Sequence, residues 1–560
     1  QQVIDAENGQ GTLPDNAVLL SFDDGYETMY NVVFPLLKAY NYPAVFAPVT
    51  GWLDTPANQK IAYADKMLDR SVFATWAQVK EMEQSGLVEV ASHTHNLHNG
   101  INANPSGGQL PAVIAPEYKN GKYETEDAYK NRLRSDFALT VQTLVNHIGK
   151  KPRVMVWPYG QFNDVAVQIA RQAGMPHYFS LGEKIVNKVG DKHIGRLLLN
   201  AETDLNTVKN YLDGIDESKQ IQRVLHVDLD YVYDANKAQQ AKNLDKLIER
   251  IYRYGVTTVY LQAFSDPDGD GVADALYFPN KYLPVRDDIF GRIAWQLQTR
   301  AGVQVYAWMP VLAFDLRKSV KEAEYVIDSR TGKPSTKAYL RLSPYNKQNV
   351  EIIKSIYNDL SFYAKFNGIL FHDDAFLTDF EGAEGNHAEG MVSPQAKQKT
   401  QDLIQLTHQL TDALKPYFLR GSYSLKTARN LYASVITNPN AEEWLAQNLK
   451  TLTDNYDTTA IMAMPYMENE QPISQKEAYQ WFASLIENVK AQAPLEKVLF
   501  EFQAVNWRTQ KPIPESELID WMTLLQKNHI YSYGYYPDNF LTNQPDMNKM
   551  KPYFSVNTNA

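Results

Sequence analysis

The sequence predicts an α/β chain of two (β/α) units, and three observations carry that prediction. The first is length: 560 residues suit two large domains, because α/β barrels run to about 250 residues as single domains. The second is alternation: short apolar runs are separated by longer amphipathic stretches along the whole chain, which implies right-handed crossovers between parallel strands. The third is a polar stretch from Glu202 to Gln222, holding Asp204, Asp213, Gly214, Asp216, Glu217 and Lys219, with the apolar run Val224 to Val232 directly after it. It divides the chain into a domain 1–205, a linker 206–222 and a domain 223–560.

In the first domain the expected strands are Ala17–Phe22, Ala44–Val49, Val88–Ser92, Arg153–Trp157, His177–Ser180 and Ile194–Leu199. Helical patterns fill Met29–Tyr40, Trp76–Ser85, Thr125–Ile148 and Asp164–Ala173. This order predicts a mainly parallel sheet or barrel. In the second domain eight apolar runs can be counted: Val224–Leu229, Thr257–Ala263, Val303–Met309, Gly368–Phe371, Tyr417–Tyr423, Thr459–Met464, Lys497–Gln503 and Ile530–Tyr535. The fifth has the poorest pattern. Helical stretches between them include Ala238–Tyr254, Val350–Phe366, Pro394–Leu414, Ala441–Thr453, Ser474–Ala491 and Glu515–Asn528. Eight strand–helix units predict a TIM-like (β/α)8 barrel, whose working face lies just past the C-terminal strand ends.

Composition narrows the function. Hydrophobic residues make up 44% and charged residues 21%, as in ordinary globular proteins. No apolar run approaches the roughly 20 residues of a membrane-spanning helix. A net charge of −10 gives no basic footprint, which argues against nucleic acid as a partner. With no cysteine, disulfides, thiolate metal sites and cysteine nucleophiles are excluded. The 35 Tyr and 9 Trp are compatible with sugar stacking and equally with ordinary use at strand ends and surfaces. Gln1 to Asn8 show no charged n-region or apolar h-region, so any targeting segment has been removed or was never included.

Three motifs carry chemistry in the first domain. Ser21-Phe22-Asp23-Asp24-Gly25 ends a strand. Two adjacent carboxylates repel unless a cation or proton sits between them, and alternation along a strand lets neighbours take different jobs. By itself this is also good turn chemistry. Ser92-His93-Thr94-His95-Asn96-Leu97-His98 follows another strand and holds three of the 11 His. An Asp with two His is a metal donor set that leaves positions open for water. Trp157-Pro158-Tyr159-Gly160 predicts a sharp turn, whose N–H groups can face an oxyanion.

In this order the three motifs resemble the polysaccharide deacetylases of carbohydrate esterase family 4, over Ala17 to Leu199. The resemblance implies a distorted deacetylase-type (β/α) barrel. It implies that Asp24, His93 and His98 bind a divalent metal ion, zinc first, with nickel, cobalt or iron as alternatives. It makes Asp23 the base that activates water, and gives the Tyr159 backbone N–H an oxyanion role. In the general family the two His are four residues apart, whereas His93 and His98 are five apart, so His95 stands as a rival ligand. Gly25-Tyr26, Asn31 to Leu37 and the whole second half are more narrowly similar to the poly-β-1,6-N-acetyl-D-glucosamine N-deacetylases of Gram-negative biofilm systems. In those proteins a segment upstream supplies the catalytic acid, so none is assigned here. The resemblance further implies a periplasmic, outer-membrane-associated protein working beside an export porin. Peptidoglycan or chitin oligomers are the alternative substrates.

In the second domain acids gather at expected strand ends: His226, Asp228 and Asp230; His372-Asp373-Asp374; Met464 to Glu468, with Tyr466; Glu501 and Gln503, with Trp507 behind; and Tyr535, Tyr536 and Asp538. Acids mixed with aromatics suit a glycan groove, and glycoside hydrolysis needs two carboxyls. Helix capping is the ordinary alternative. The strings His226–Tyr231, Phe371–Ala375, Met464–Met467 and Tyr535–Asp538 resemble the glycoside hydrolase-like barrel of the same family. That implies binding of partly deacetylated polymer and, in some members, its cleavage. Asp374 is the expected hydrolytic acid; Asp228, Asp230, Asp373, Tyr466, Glu468, Glu501, Trp507 and Tyr535 are the expected groove residues. His372 stands where many relatives carry an acid, which makes cleavage less secure than binding. Asp266-Pro-Asp-Gly-Asp-Gly271 has half the spacing of a calcium loop, but Tyr277 stands at the twelfth position, so it is read as a polar loop.

Overall fold

The computed structural model describes residues 1–182, 186–200, 203–212, 221–335, 338–382, 392–421 and 424–556. Two compact units emerge: Gln1–Asp216 with Pro416–Ser424, and Glu217–Lys415 with Leu425–Ala560. Of the expected linker, residues 213–220 lie outside the described set. Its opening stretch is a helix, Leu205–Leu212, as the spacing of Leu205, Val208 and Leu212 permits. Among the described residues, no helix is long and apolar enough to cross a membrane.

All six strands expected in the first unit form: β1 (Leu20–Asp24), β2 (Ala44–Pro48), β3 (Val88–Val90), β4 (Val154–Val156), β5 (His177–Leu181) and β6 (His193–Arg196). They pair in parallel as two three-stranded sheets, β1-β2-β3 and β4-β5-β6. A parallel bridge between Ser92 and Met155 joins the sheets. On the β6/β1 side no strand pairing joins the two sheets among the described residues; the Arg196 side chain spans that side to Asp23. Every residue of β2 is buried, as expected for a parallel strand covered on both faces.

Local chemistry sets the helices. Thr75 and Gln78 form a capping box at the start of Trp76–Gln84. Thr125 caps Glu126–Ile148, which ends at Gly149 in the left-handed conformation (φ +78°). The expected helix Met29–Tyr40 is divided into a π-turn, Met29–Val33, and an α-helix, Phe34–Tyr40. Pro35 lies at the start of the α-helical part and supplies no N–H to the preceding turn.

The second unit is a closed parallel barrel of eight strands. These are β7 (Arg223–Val227), β8 (Thr258–Gln262), β9 (Gln304–Met309), β10 (Gly368–Phe371), β11 (Lys426–Tyr432), β12 (Thr458–Met462), β13 (Val498–Gln503) and β14 (Tyr533–Tyr536). Seven follow the expected runs. The fifth does not: the strand is Lys426–Tyr432, and the run Tyr417–Tyr423 belongs mostly to a segment of the first unit. The cause is buried polarity. Arg429 gives hydrogen bonds to the Tyr456 hydroxyl and the Ala375 carbonyl, both at 2.9 Å, and Asn430 to Glu501 at 2.9 Å. Those partners take up most of the polar groups of a strand whose sequence reads as polar; Arg429 Nε alone of these stays without one. The expected helix Ala441–Thr453 also breaks, at left-handed Ala446 (φ +48°), and restarts at an Asn448 cap.

Candidate functional site

The first site sits at the C-terminal ends of β1, β3 and β4. Asp24 is the last residue of β1, with φ +70°. Thr94 (φ +69°) and Tyr159 (φ +58°) share that left-handed backbone. Each non-glycine residue there costs about 1–2 kcal/mol, and strain of this kind gathers where packing over-determines a functional geometry. The result is convergence. Asp24 Oδ1 lies 3.4 Å from His93 Nε2 and 3.2 Å from His98 Nε2. The three ligand atoms lie within 4.8 Å of one another.

His93 is buried, and its Nδ1 donates to the Val156 carbonyl at 2.7 Å. That bond fixes the tautomer and turns the Nε2 lone pair toward Asp24. His98 is packed against Trp52, Tyr63 and Tyr159, with ring centroids 5.1, 6.0 and 4.5 Å away. The Tyr63 hydroxyl donates to Asp24 Oδ2 at 2.8 Å. Burial opposes the charge on Asp24, but hydrogen bonding and attraction from His93 and His98 outweigh it and hold the carboxyl well below the usual range. A carboxylate oxygen beside two imidazole nitrogens, with the rest of each ligand held by the protein, is a donor set that fits a divalent ion.

His95 does not join this set. Its Nδ1 lies 3.0 Å from Thr50 Oγ1, and its backbone N–H donates to Asp136 at 2.9 Å. Asp136 also accepts from Asn96 N–H at 2.7 Å, so this carboxylate shapes the loop that presents His93 and His98. Asp23 faces a different partner. Arg196, at the end of β6, donates from Nη1 and Nη2 to its two oxygens at 2.8 and 2.9 Å. This bidentate clamp spans the side where the sheets are not hydrogen-bonded, and it fixes the Asp23 carboxylate. Sequence reasoning missed Arg196 because 173 positions separate it from Asp23. Its one visible signal was a polar residue within an expected strand.

The second site lies in the mouth of the barrel. His226 Nδ1 and Glu501 Oε1 are 2.5 Å apart, while Asn430 donates to Glu501 Oε2. Glu501 is therefore a holder of His226 inside the barrel. Four rings crowd together: His226 and Trp308 at 4.1 Å, Trp308 and His372 at 5.2 Å, Trp308 and Tyr536 at 5.5 Å. Trp507 stands 6.1 Å beyond Tyr536. Asp228 accepts from the Tyr536 hydroxyl at 3.4 Å through Oδ2, while its buried Oδ1 has no hydrogen-bond partner. Burial first, and the charge of Asp230 second, push its carboxyl up to about 8. Asp373 accepts from the hydroxyls of Tyr339 and Tyr432, both at 2.8 Å, and lies 3.0 Å from His372 Nε2. Trp308, Tyr339 and Tyr432 carried no motif that could have flagged them.

Several expected groove residues have other work. Asp374, expected as the hydrolytic acid, is fully buried and accepts the backbone N–H groups of Val311, Leu312 and Ala313 at 2.6–3.0 Å. A carboxylate so engaged anchors the loop after β9 and offers no proton to a substrate. Asp230 accepts from Gln262, Ser265, the Asp266 N–H, Tyr277 and Arg286, so it pins the loop after β8. Glu468 accepts the N–H groups of Ala433 and Ser434 at 2.8 and 3.1 Å and caps the short helix there; burial pushes its carboxyl up to about 7. The Tyr466 hydroxyl is given to Glu517. Tyr535 points out of the barrel, donating to Asp538 at 2.7 Å. Tyr536 takes the inward place because neighbours on a strand face opposite ways. In the loop Asp266–Gly271, three carboxylates lie within 4.8 Å, but Asp266 accepts the N–H groups of Gly269, Asp270 and Gly271, and Tyr277 reaches Asp230 instead.

Comparison with known proteins adds the context of relatives. The family described as Polysaccharide deacetylase matches residues 10–178, and that described as Hypothetical glycosyl hydrolase family 13 matches residues 226–536. The chain is 40% identical to the poly-beta-1,6-N-acetyl-D-glucosamine N-deacetylase of Escherichia coli strain K12, over 99% of this chain and 85% of that protein. It is 28% identical to the Staphylococcus aureus strain MSSA476 protein of the same name, over 37% of this chain and 62% of that one. Among solved structures, the PgaB (BpsB) glycoside hydrolase domain from Bordetella bronchiseptica matches with a TM-score of 0.55 and 38% identity. It covers 60% of this chain and all of that one.

Proposed function

From the premise that the chain belongs to the poly-beta-1,6-N-acetyl-D-glucosamine N-deacetylases, as a polysaccharide N-deacetylase of the carbohydrate esterase class, we propose that it removes acetyl groups from poly-β-1,6-N-acetyl-D-glucosamine at the β1/β3/β4 site. The observation that carries the reading is the meeting of Asp24, His93 and His98 beside an Asp23 clamped by Arg196. Asp24, His93 and His98 would hold a divalent ion, zinc first. Such an ion supplies a Lewis acid and makes water acidic enough to attack at neutral pH.

The chain's own residues do the rest. Asp23 takes the proton of the attacking water; the Arg196 fork keeps its carboxylate oriented toward that proton. The Tyr159 backbone N–H receives the oxyanion that forms as the acetamide carbon becomes tetrahedral. Breaking the C–N bond, with the nitrogen taking up the proton that water has lost, gives acetate and a free amine. Tyr63 stacks on His98, while Trp52 meets it edge-on and Tyr159 at a tilt, so the three rings crowd it on several sides.

The barrel mouth suits the product. Trp308, Tyr536 and Trp507 offer faces for sugar rings, and Asp228 and Asp373 offer carboxyls for amines and hydroxyls. Where the polymer is also cut, the acid chemistry falls to Asp373 and Asp228, because Asp374 is committed to the backbone. A periplasmic, outer-membrane-associated setting beside an export porin fits this chemistry by kinship with the Gram-negative relative. Acetate release and product size, measured on poly-β-1,6-N-acetyl-D-glucosamine and on chitin oligomers with zinc added, test the reading. The expected result is acetate from the β-1,6 polymer in preference to chitin. Equal or greater release from chitin or peptidoglycan fragments would move the substrate; none from any would remove the enzyme.

A further inference from the structure

The left-handed backbone of Tyr159 (φ +58°, ψ +11°) is costly and must be held. Two walls hold it. On one side Gly160 lies against β5: a Cβ there would meet the Leu181 backbone nitrogen at 2.5 Å. On the other side lies the segment 416–421, part of the first unit although it falls between the helix Pro394–Leu414 and β11 in sequence. A Cβ at Gly421, where φ is +136°, would lie 2.5 Å from the Gly160 carbonyl oxygen. Two residues on, Phe162 and Arg420 exchange both backbone hydrogen bonds, at 3.1 and 2.8 Å. Arg420 Nη1 also donates to Asp164 Oδ1 at 2.6 Å, the Val165 N–H donates to the Pro416 carbonyl at 3.2 Å, and the Tyr417 hydroxyl donates to Glu126.

We propose that residues 416–421 are a positioning clamp for the deacetylation turn, with Gly421 setting the place of the Gly160 peptide and, through it, the aim of the Tyr159 N–H. Among the described residues, the segment makes its hydrogen bonds to Glu126, Phe162, Asp164 and Val165 and none to Asp24, His93 or His98. It acts on the geometry of one donor, so its loss should slow the chemical step while leaving ion binding and substrate affinity intact. The proposal rests on the oxyanion role of Tyr159 given above.

The test uses the full chain with Gly421→Ala. The added methyl cannot fit against the Gly160 oxygen without moving it. With zinc and a poly-β-1,6-N-acetyl-D-glucosamine oligomer, kcat should fall about tenfold to a hundredfold, the range expected for misplacing one oxyanion donor, with KM and zinc affinity by calorimetry unchanged. Hydrogen exchange read by mass spectrometry should rise across residues 157–163 and stay unchanged across the His93–His98 loop. Arg420→Ala should show the same pattern more weakly, and Arg420→Lys, which keeps the charge opposite Asp164, should restore it. Wild-type kcat or unchanged exchange at residues 157–163 in Gly421→Ala would overturn the clamp, as would loss of zinc binding in that variant, which signals general unfolding. Inactivity of the wild-type chain would instead sink the oxyanion reading, while the exchange data would still decide whether the clamp exists.

Discussion

Two pairs of adjacent aspartates end parallel strands in this chain, and they come to opposite uses. At the end of β1, Asp23 meets Arg196 while Asp24 turns, through a left-handed backbone, toward His93 and His98. At the end of β10, Asp373 faces two tyrosine hydroxyls and His372, while Asp374 is consumed by three backbone N–H groups. In the first pair the second aspartate joins the imidazole cluster; in the second pair it is the anchor. The difference lies in which donors the surrounding loops bring. An imidazole nitrogen can offer a lone pair to a cation, whereas a peptide N–H can only donate its hydrogen to an acceptor.

The sharpest way to break this comparison is Asp24→Ala. Zinc binding by calorimetry and acetate release should both vanish; normal turnover in a zinc-free variant would show that the β1 pair is no metal site. Next comes Asp374→Ala, which leaves three buried N–H groups without an acceptor. At about 1–3 kcal/mol for each group, the loss of stability should be about 3 kcal/mol or more, read as a lower Tm. Asp373→Asn should keep the fold and weaken glycan binding instead. If Asp374→Ala were as stable as the parent but unable to cut polymer, the roles within the β10 pair would have to be exchanged.

A smaller effect is expected from Arg196→Ala. Freed from its fork, Asp23 should be a poorly aimed base, with kcat down about tenfold to a hundredfold and zinc affinity kept; loss of zinc affinity would mean that Arg196 holds the metal ligands as well. A different readout, the pH dependence of stability, concerns Asp228. Its folded carboxyl is pushed from 3.8 up to about 8, mainly by burial. The folded state therefore binds a proton that the unfolded state has lost, and stability should fall as pH rises from about 4 to 8. Asp228→Asn should flatten that part of the stability–pH curve, measured by urea unfolding. An unchanged slope would show that Asp228 is ionised in the fold.

Much of this was legible in the residues. Apolar alternation located the six parallel strands of the first unit and seven of the eight barrel strands, because a parallel strand covered on both faces must be apolar. The exception, Lys426–Tyr432, hides Arg429 and Asn430 inside the protein, and burial of polar groups is affordable only with partners that sequence does not reveal. The first site was readable for a similar reason: Asp24, His93 and His98 are ligand types rare enough that their order at strand ends is informative. The barrel mouth was less readable. Capping and anchoring use the same Asp and Glu as catalysis, so Asp374, Asp230 and Glu468 could not be told from Asp373 by type.

Sequence alone determined where the parallel strands of the first unit and seven of the barrel strands fall, and it picked out the Asp and His from which a donor set could be drawn; both rest on local patterns or on side-chain chemistry. Only the tertiary structure decided that His95 turns to Thr50, that Arg196 grips Asp23, that Tyr536 faces inward in place of Tyr535, and that residues 416–421 brace the Tyr159 turn. Each of those outcomes is set by which distant groups arrive within about 3 Å, and chain proximity carries no record of that.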